Sequence, residues 1–166
     1  MADIRIPLGD LSGLDAVIGL PTIDNHQTIA LRAFASWHGA DYALLALYRE
    51  GINTKNGNED EIMGAVGIKG DLLVGLYSEF VVHTLIPSRS VFPEVMIGAD
   101  YSIHNRWFFV LEYLFKHNKW HQSMWGEHNV YGALSYAPNE LLNVSLNVIH
   151  DLEHEATIGA LHTQYN

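Results

Sequence analysis

Apolar and polar residues alternate along most of this chain, and this period of two restricts the fold more than any other feature of the sequence. Residues 94–104 read EVMIGADYSIH, in which every second residue from Val95 to Ile103 is apolar. Residues 107–116, WFFVLEYLFK, repeat the pattern after a turn at Asn105. Because successive side chains of a β-strand point to opposite faces, the two segments predict strands that each have an apolar face and that form a tight antiparallel hairpin.

Similar alternation elsewhere brings the number of predicted short strands to about eleven. The alternating segments lie at 3–8, 14–20, 28–38, 42–49, 62–69, 74–80, 94–104, 107–116, 129–136, 142–148 and 155–165. Ala and Leu are frequent in 28–38 and 42–49, and because both residues favour helices, a helix is the alternative there. No apolar run approaches the roughly 18 to 20 residues of a membrane-spanning helix. We therefore expect an all-β chain.

The connections between the predicted strands alternate in length. The short ones are 39–40, 70–71, Asn105 and 137–140; the long polar ones are 51–60, 83–93 and 117–127, and 151–154 is intermediate. An antiparallel up-and-down meander with short turns at one end and longer loops at the other is typical of outer-membrane β-barrels. The pattern predicts a single transmembrane β-barrel domain over residues 1–166, with about 9 to 11 strands visible.

Size and charge argue against several other classes of protein. The chain has 166 residues, which is the size of one domain. Nineteen Asp and Glu against nine Lys and Arg give a formal net charge of -10, the wrong sign for binding nucleic-acid phosphates. The absence of cysteine excludes disulfides and thiolate metal sites. We expect no nucleic-acid partner and no cofactor.

The less apolar face of the predicted strands is a mixture of small residues and scattered charges, which suits a narrow wet interior. The candidates for lining this lumen are Arg32, Lys69, Tyr77, Glu79, Glu94, Asp100, Glu112 and Lys116. Their three positive and four negative charges predict weak ion selectivity at most; the alternative is a network of salt bridges that fills the interior. Arg49 falls in the outward register near a long loop, unless a bulge shifts it.

Aromatic residues on the apolar face lie near the ends of the predicted strands. Trp37, Tyr101, Trp107 and Tyr136 lie beside short turns, and Phe80 and Phe115 beside long loops. Two such groups predict the aromatic girdles that contact the lipid interfaces of a membrane barrel. The alternative is the general preference of aromatic residues for strands.

Histidines and acidic residues suggest chemistry that their spacing does not favour. The histidines considered as metal ligands are His104, His117, His121, His128, His150 and His154. Histidines four positions apart converge on a helix, whereas these lie in loops and at strand ends, so we expect no metal site. Asp151, Glu153 and Glu155 lie near His154, but no nucleophile motif such as GxSxG occurs, and we expect no enzyme.

Three segments resemble a known group of proteins. Residues 5–19 (RIPLGDLSGLDAVIG), 95–118 (VMIGADYSIHNRWFFVLEYLFKHN) and 128–153 (HNVYGALSYAPNELLNVSLNVIHDLE) are similar, in the same order, to porin-like outer-membrane β-barrel proteins of Gram-negative bacteria. These motifs are strand, turn and aromatic patterns. The resemblance implies a location in the bacterial outer membrane, contact with its lipid, and passive passage or uptake of small hydrophilic solutes.

Two departures from that group shape the prediction. Its members begin with a signal peptide and several further strands, whereas this chain starts with MADIR, which has neither a cationic nor an apolar signal region. Its members also end on a strand with a terminal aromatic residue, whereas the last residue here is Asn166. The resemblance therefore implies an internal fragment of a barrel. The alternative function belongs to another class, a soluble β-barrel or β-sandwich that binds a small ligand on its mixed interior.

Overall fold

A computed structural model describes residues 2–19, 27–54, 57–71, 73–104, 106–117 and 126–165. Eleven β-strands account for most of these residues. The strands are β1 (Ala2–Gly9), β2 (Ser12–Gly19), β3 (Thr28–Trp37), β4 (Ala40–Thr54), β5 (Gly57–Asp71), β6 (Gly75–Ile86), β7 (Val91–Ile103), β8 (Trp107–Lys116), β9 (Glu127–Tyr136), β10 (Leu142–Asp151) and β11 (Ala156–Tyr165). No helix long and apolar enough to cross a membrane occurs in these described ranges.

All eleven strands belong to one antiparallel sheet, in which each strand pairs with its neighbours in the sequence. The prediction of an all-β, antiparallel up-and-down meander is therefore confirmed. Over the described residues the sheet is not closed, because β1 pairs only with β2 and β11 pairs only with β10. That the sheet spans a membrane stays a prediction.

The segments with a possible helix are strands β3 and β4, so the helical alternative is wrong. Their residues pair across the hairpin, with Ala33 opposite Leu44 and Leu31 opposite Ala46. Pairing on both sides supplies the backbone hydrogen bonds that a helix would otherwise make internally, and such tertiary context overrides a weak helical propensity.

Two of the predicted long loops are mostly strand. In 51–60, β4 continues to Thr54 and β5 begins at Gly57, with a register irregularity between Arg49 and Ile52. In 83–93, β6 continues to Ile86 and β7 begins at Val91. The alternation fades in 51–60 because polar residues occupy both faces at the strand ends, and in 83–93 because the adjacent apolar residues Leu85 and Ile86 lie on opposite faces. The third predicted loop, 117–127, lies largely outside the described residues.

The register divides the sheet into two faces that differ sharply in polarity. We call the face with Ile97 the apolar face and the face with Glu94 the polar face. On the apolar face Leu111 is 62% exposed and Leu44 is 60% exposed, whereas on the polar face Glu61 is 1% exposed. The buried residues of the described strands lie on the polar face, whereas apolar residues are the ones most often buried in globular proteins.

Candidate functional site: the polar face of the sheet

The polar face carries nearly all the charges that lie in paired strand positions. Its acidic residues are Asp15, Asp41, Glu59, Glu61, Asp71, Glu79, Glu94, Asp100, Glu112, Glu127 and Asp151. Its basic residues are Arg5, Arg32, Arg49, Lys69 and Lys116. Of the paired residues that the structure describes on the apolar face, only Asp60 carries an Asp, Glu, Lys or Arg charge. The eight residues predicted to line a lumen all lie on the polar face.

The structure changes two predictions about charge. Arg49 pairs with Thr28 and Glu61 and lies on the polar face, so its assignment to the outward register is wrong. The bulge of β4 begins after Arg49 and does not move it. The predicted near balance of charge is also wrong for this face, because acidic groups clearly outnumber basic ones.

A row of alternating basic and acidic side chains crosses five strands near their loop ends. The Arg49 guanidinium donates a hydrogen bond to Glu61, whose other oxygen lies 2.8 Å from His83 Nδ1. His83 Nε2 lies 3.6 Å from Glu94, and Lys116 Nζ lies 3.4 Å from the same Glu94 oxygen. Because each carboxylate lies between two nitrogen groups, burial of Glu61 is compensated by direct partners.

Tyr77 and Glu112 form a second contact that bridges three strands. The Tyr77 hydroxyl donates a 2.6 Å hydrogen bond to Glu112 from β6 to β8. The ring crosses β7 over Gly98, where an added Cβ would lie 2.3 Å from the ring. Gly98 is therefore a position at which a side chain would displace Tyr77. A glycine that admits a neighbouring aromatic ring is a recognised way to stabilise a sheet.

The Phe34 ring of β3 lies over a glycine of a neighbouring strand, as the Tyr77 ring lies over Gly98. A Cβ at Gly13 would lie 2.8 Å from the Phe34 ring, so this ring lies over β2. The Arg32 guanidinium lies 5.3 Å from the centre of the same ring, within cation–π range. Beyond it, Arg5 donates a 2.7 Å hydrogen bond to Asp15.

Between these two aromatic rings the polar face has a depression of about 500 Å³. Its central positions hold the small residues Ala43 and Gly67, which are paired with each other. Arg32, Lys69 and Glu79 also line it. Its volume falls within the roughly 300 to 1,000 Å³ of small-molecule sites.

The six predicted interface aromatics all lie on the apolar face, and five lie near strand ends. Trp107 and Tyr136 are paired and stack with ring centres 4.1 Å apart, next to the short turns. Phe115 lies at the opposite end of β8. The predicted position of Phe80 beside a long loop is wrong, because β6 continues to Ile86 and leaves Phe80 near its middle. That these rings contact lipid stays a prediction.

Three of the predicted histidine and acidic candidates, His150, Asp151 and His154, have local hydrogen-bond partners. Asp151 accepts hydrogen bonds from the backbone N–H groups of Glu153 and His154 and lies 2.8 Å from His154 Nδ1. This contact raises the pKa of the exposed His154 imidazole above its ordinary value. His150 lies 2.8 Å from Thr157, and His121 lies outside the described residues. Within the described ranges no group of three His, Asp or Glu residues is arranged to hold a metal ion.

Sequence reasoning missed several charged residues on the polar face. Glu59 and His83 fall in the predicted loops 51–60 and 83–93, and Glu61 lies outside the predicted strands because the alternation is weak at that end of β5. Arg5 and Asp15 lie in predicted strands and could have been found by extending the polar register to β1 and β2.

Comparison of the chain with protein-family models, curated proteins and solved structures gives no match. The resemblance to porin-like proteins therefore stays a prediction.

Proposed function

We propose that this chain forms part of the wall of an outer-membrane β-barrel of a Gram-negative bacterium, with the apolar face toward lipid and the polar face toward a lumen. Small hydrophilic solutes pass through that lumen passively, as in porins. The proposal needs no cofactor and no nucleic acid. Its partners are membrane lipid and the solute.

The observation that carries the proposal is the exposure of the apolar face. Ile97 is 55% exposed, Leu111 is 62% exposed and Phe109 is 39% exposed. Burial of one large apolar side chain contributes about 1.5 to 3 kcal/mol. More than twenty exposed large apolar side chains lie on this face, so leaving it in water forgoes an amount on the order of tens of kcal/mol. Lipid supplies an apolar environment for this face without a second protein layer.

A soluble β-sandwich or β-barrel would need a second protein layer packed against the apolar face. In a β-sandwich, apolar faces of two sheets meet in a shared core about 10 Å thick. The described residues form one sheet, and Ile97, Phe109 and Leu111 do not meet in such a core. The distribution of polarity thus favours the membrane proposal.

Two neighbouring residues of β7 provide a matched test of which face meets lipid. In Ile97→Lys a charge enters the apolar face, and in Met96→Lys it enters the polar face opposite Glu79. We expect Ile97→Lys to lower the free energy of unfolding in lipid vesicles by about 2 to 4 kcal/mol, the cost of a lysine near the bilayer midplane. We expect a much smaller effect from Met96→Lys. Equal effects would contradict the proposed orientation.

Conductance in planar bilayers tests passage itself. We expect discrete current steps in electrolyte solution from the full-length barrel of which this chain forms part of the wall, because a polar lumen holds water and ions. Protein that remains in the aqueous phase without detergent would contradict the membrane location. Protein that inserts but gives no discrete steps would contradict passage while leaving the location intact.

A further inference from the structure

The depression in the polar face has an open floor because the two aromatic residues that line its sides have their rings over the neighbouring glycines and not over the floor. Phe34 lies over Gly13 of β2, and Tyr77 lies over Gly98 of β7. The paired positions between them on β4 and β5 hold Ala43 and Gly67. A Cβ at Gly67 would have only the Ser78 backbone oxygen, at 3.9 Å, within contact distance. The space above this floor is therefore available to a solute.

The two cations around this floor, Arg32 and Lys69, make no hydrogen bonds to the carboxylates nearest to them. Arg32 lies 3.9 Å from Asp15, and Lys69 lies 3.8 Å from Asp100 and 3.9 Å from Asp71. These distances exceed those of hydrogen bonds, so the guanidinium and ammonium donors remain available. The contrast is with Arg5 and Arg49, which donate hydrogen bonds to carboxylates.

Glu79 supplies the opposite charge at the β6 side of the depression. It has no hydrogen-bonding or ionic partner among the described residues. Glu79 and Arg32 also both line a second, neighbouring depression above Ala43, Ala65 and Gly67. The site therefore presents Arg32 on β3 and Lys69 on β5 as its cations and the unpartnered carboxylate of Glu79 on β6. Asp41 of β4, which pairs opposite Lys69 and accepts a hydrogen bond from Ser36, and Asp10 also line it.

We propose that this depression is a binding site for small zwitterionic solutes of the amino-acid and short-peptide class. The solute carboxylate binds Arg32 and Lys69, and the solute ammonium binds Glu79. A simple anion would leave Glu79 without a partner and close to a like charge, and a simple cation would meet Arg32 in the same way. A zwitterion satisfies both sides with charge-assisted hydrogen bonds. The inference rests on the proposed function, since it names the class of solute that passes.

Calorimetric titration of the detergent-folded protein with glycylglycine tests the site directly. We expect saturable heat with glycylglycine and at least tenfold weaker binding of N-acetylglycine, which lacks the ammonium, and of glycinamide, which lacks the carboxylate. Absence of saturable binding would overturn this inference while leaving the conductance test to decide the proposed function. Equal binding of N-acetylglycine and glycylglycine would also overturn it.

Variants of the floor and of Glu79 locate the binding. Gly67→Val fills the floor and is expected to weaken glycylglycine binding at least tenfold. Gly64→Val is the matched control, because Gly64 lies on the apolar face of the same strand and its Cβ would meet no atom within 4 Å. Glu79→Gln should weaken glycylglycine binding and reduce the preference over N-acetylglycine. Unchanged binding in both Gly67→Val and Glu79→Gln would place the ligand elsewhere and overturn the proposal.

Discussion

Replacement of Gly98 by alanine tests the close packing of the polar face. The new Cβ would lie 2.3 Å and 2.4 Å from two ring carbons of Tyr77, whereas non-bonded carbon atoms prefer about 3.5 to 4.0 Å. The ring must therefore move by about 1 Å or more. Because the Tyr77 hydroxyl lies only 2.6 Å from Glu112, that movement breaks their hydrogen bond.

The expected loss of stability follows from two overlapping effects. A hydrogen bond to a charged group contributes about 1.5 to 3 kcal/mol, and forcing an extra methyl group into a packed site costs about 1 to 3 kcal/mol. Alanine is itself more favourable than glycine in a strand by about 0.5 to 1 kcal/mol. We expect Gly98→Ala to lower the free energy of unfolding by about 2 to 4 kcal/mol.

Urea unfolding of the protein folded in detergent micelles, followed by tryptophan fluorescence, measures this loss. The matched control is Gly132→Ala, where the new Cβ meets no atom within 4 Å and stability should stay the same or rise by up to about 1 kcal/mol. In a Tyr77→Ala background the cost of Gly98→Ala should disappear. If Gly98→Ala is as stable as Gly132→Ala, or if its cost persists without Tyr77, the packing argument is refuted.

Three further predictions concern charge. The acidic excess of the polar face predicts a conductance that selects cations over anions. In a salt gradient the reversal potential should have the sign expected for cation selectivity, and this selectivity should weaken at high ionic strength; a reversal potential of the opposite sign would contradict the prediction. Glu61→Gln should destabilise the protein by about 1 to 3 kcal/mol in urea unfolding because Glu61 is buried between Arg49 and His83; the exposed, unpartnered Glu79 is the control, since Glu79→Gln should change stability by no more than about 0.5 kcal/mol. NMR titration should give His154 a raised pKa that Asp151→Asn returns toward its ordinary value; the contact therefore stabilises the fold below the unfolded pKa of His154, and this contribution disappears as pH rises through the folded pKa.

The hairpin of β7 and β8 shows what the sequence alone can predict. Its alternation is uninterrupted, its connection is short, and a shift by one residue would move every apolar side chain to the polar face. Strand existence, pairing order and the face of each side chain therefore follow from the sequence. The same reasoning fails at the ends of β4 and β5, where polar residues occupy both faces and a register irregularity follows Arg49.

The contacts of the candidate site depend on the relative positions of three or more strands. Nothing in the separate sequences of β6, β7 and β8 shows that Tyr77 crosses Gly98 to reach Glu112. The depression likewise needs small residues at paired positions of β4 and β5. It also needs Gly13 on β2 and Gly98 on β7, over which the rings of Phe34 and Tyr77 lie. Sequence periodicity predicts which face each residue occupies, whereas the direction in which a long side chain lies along that face is set by the neighbouring strands.

The number of strands affects how a barrel with this wall can close. β1 and β11 run in the same direction, because strands alternate in direction along the meander and both are odd-numbered. A direct pair between them would be parallel, unlike every other pair in the sheet. Within lipid, unpaired backbone groups at both edges would each cost several kcal/mol. A fully antiparallel barrel therefore requires an odd number of further strands between these two edges, because a second copy inserted in the same direction would again form parallel pairs at its edges.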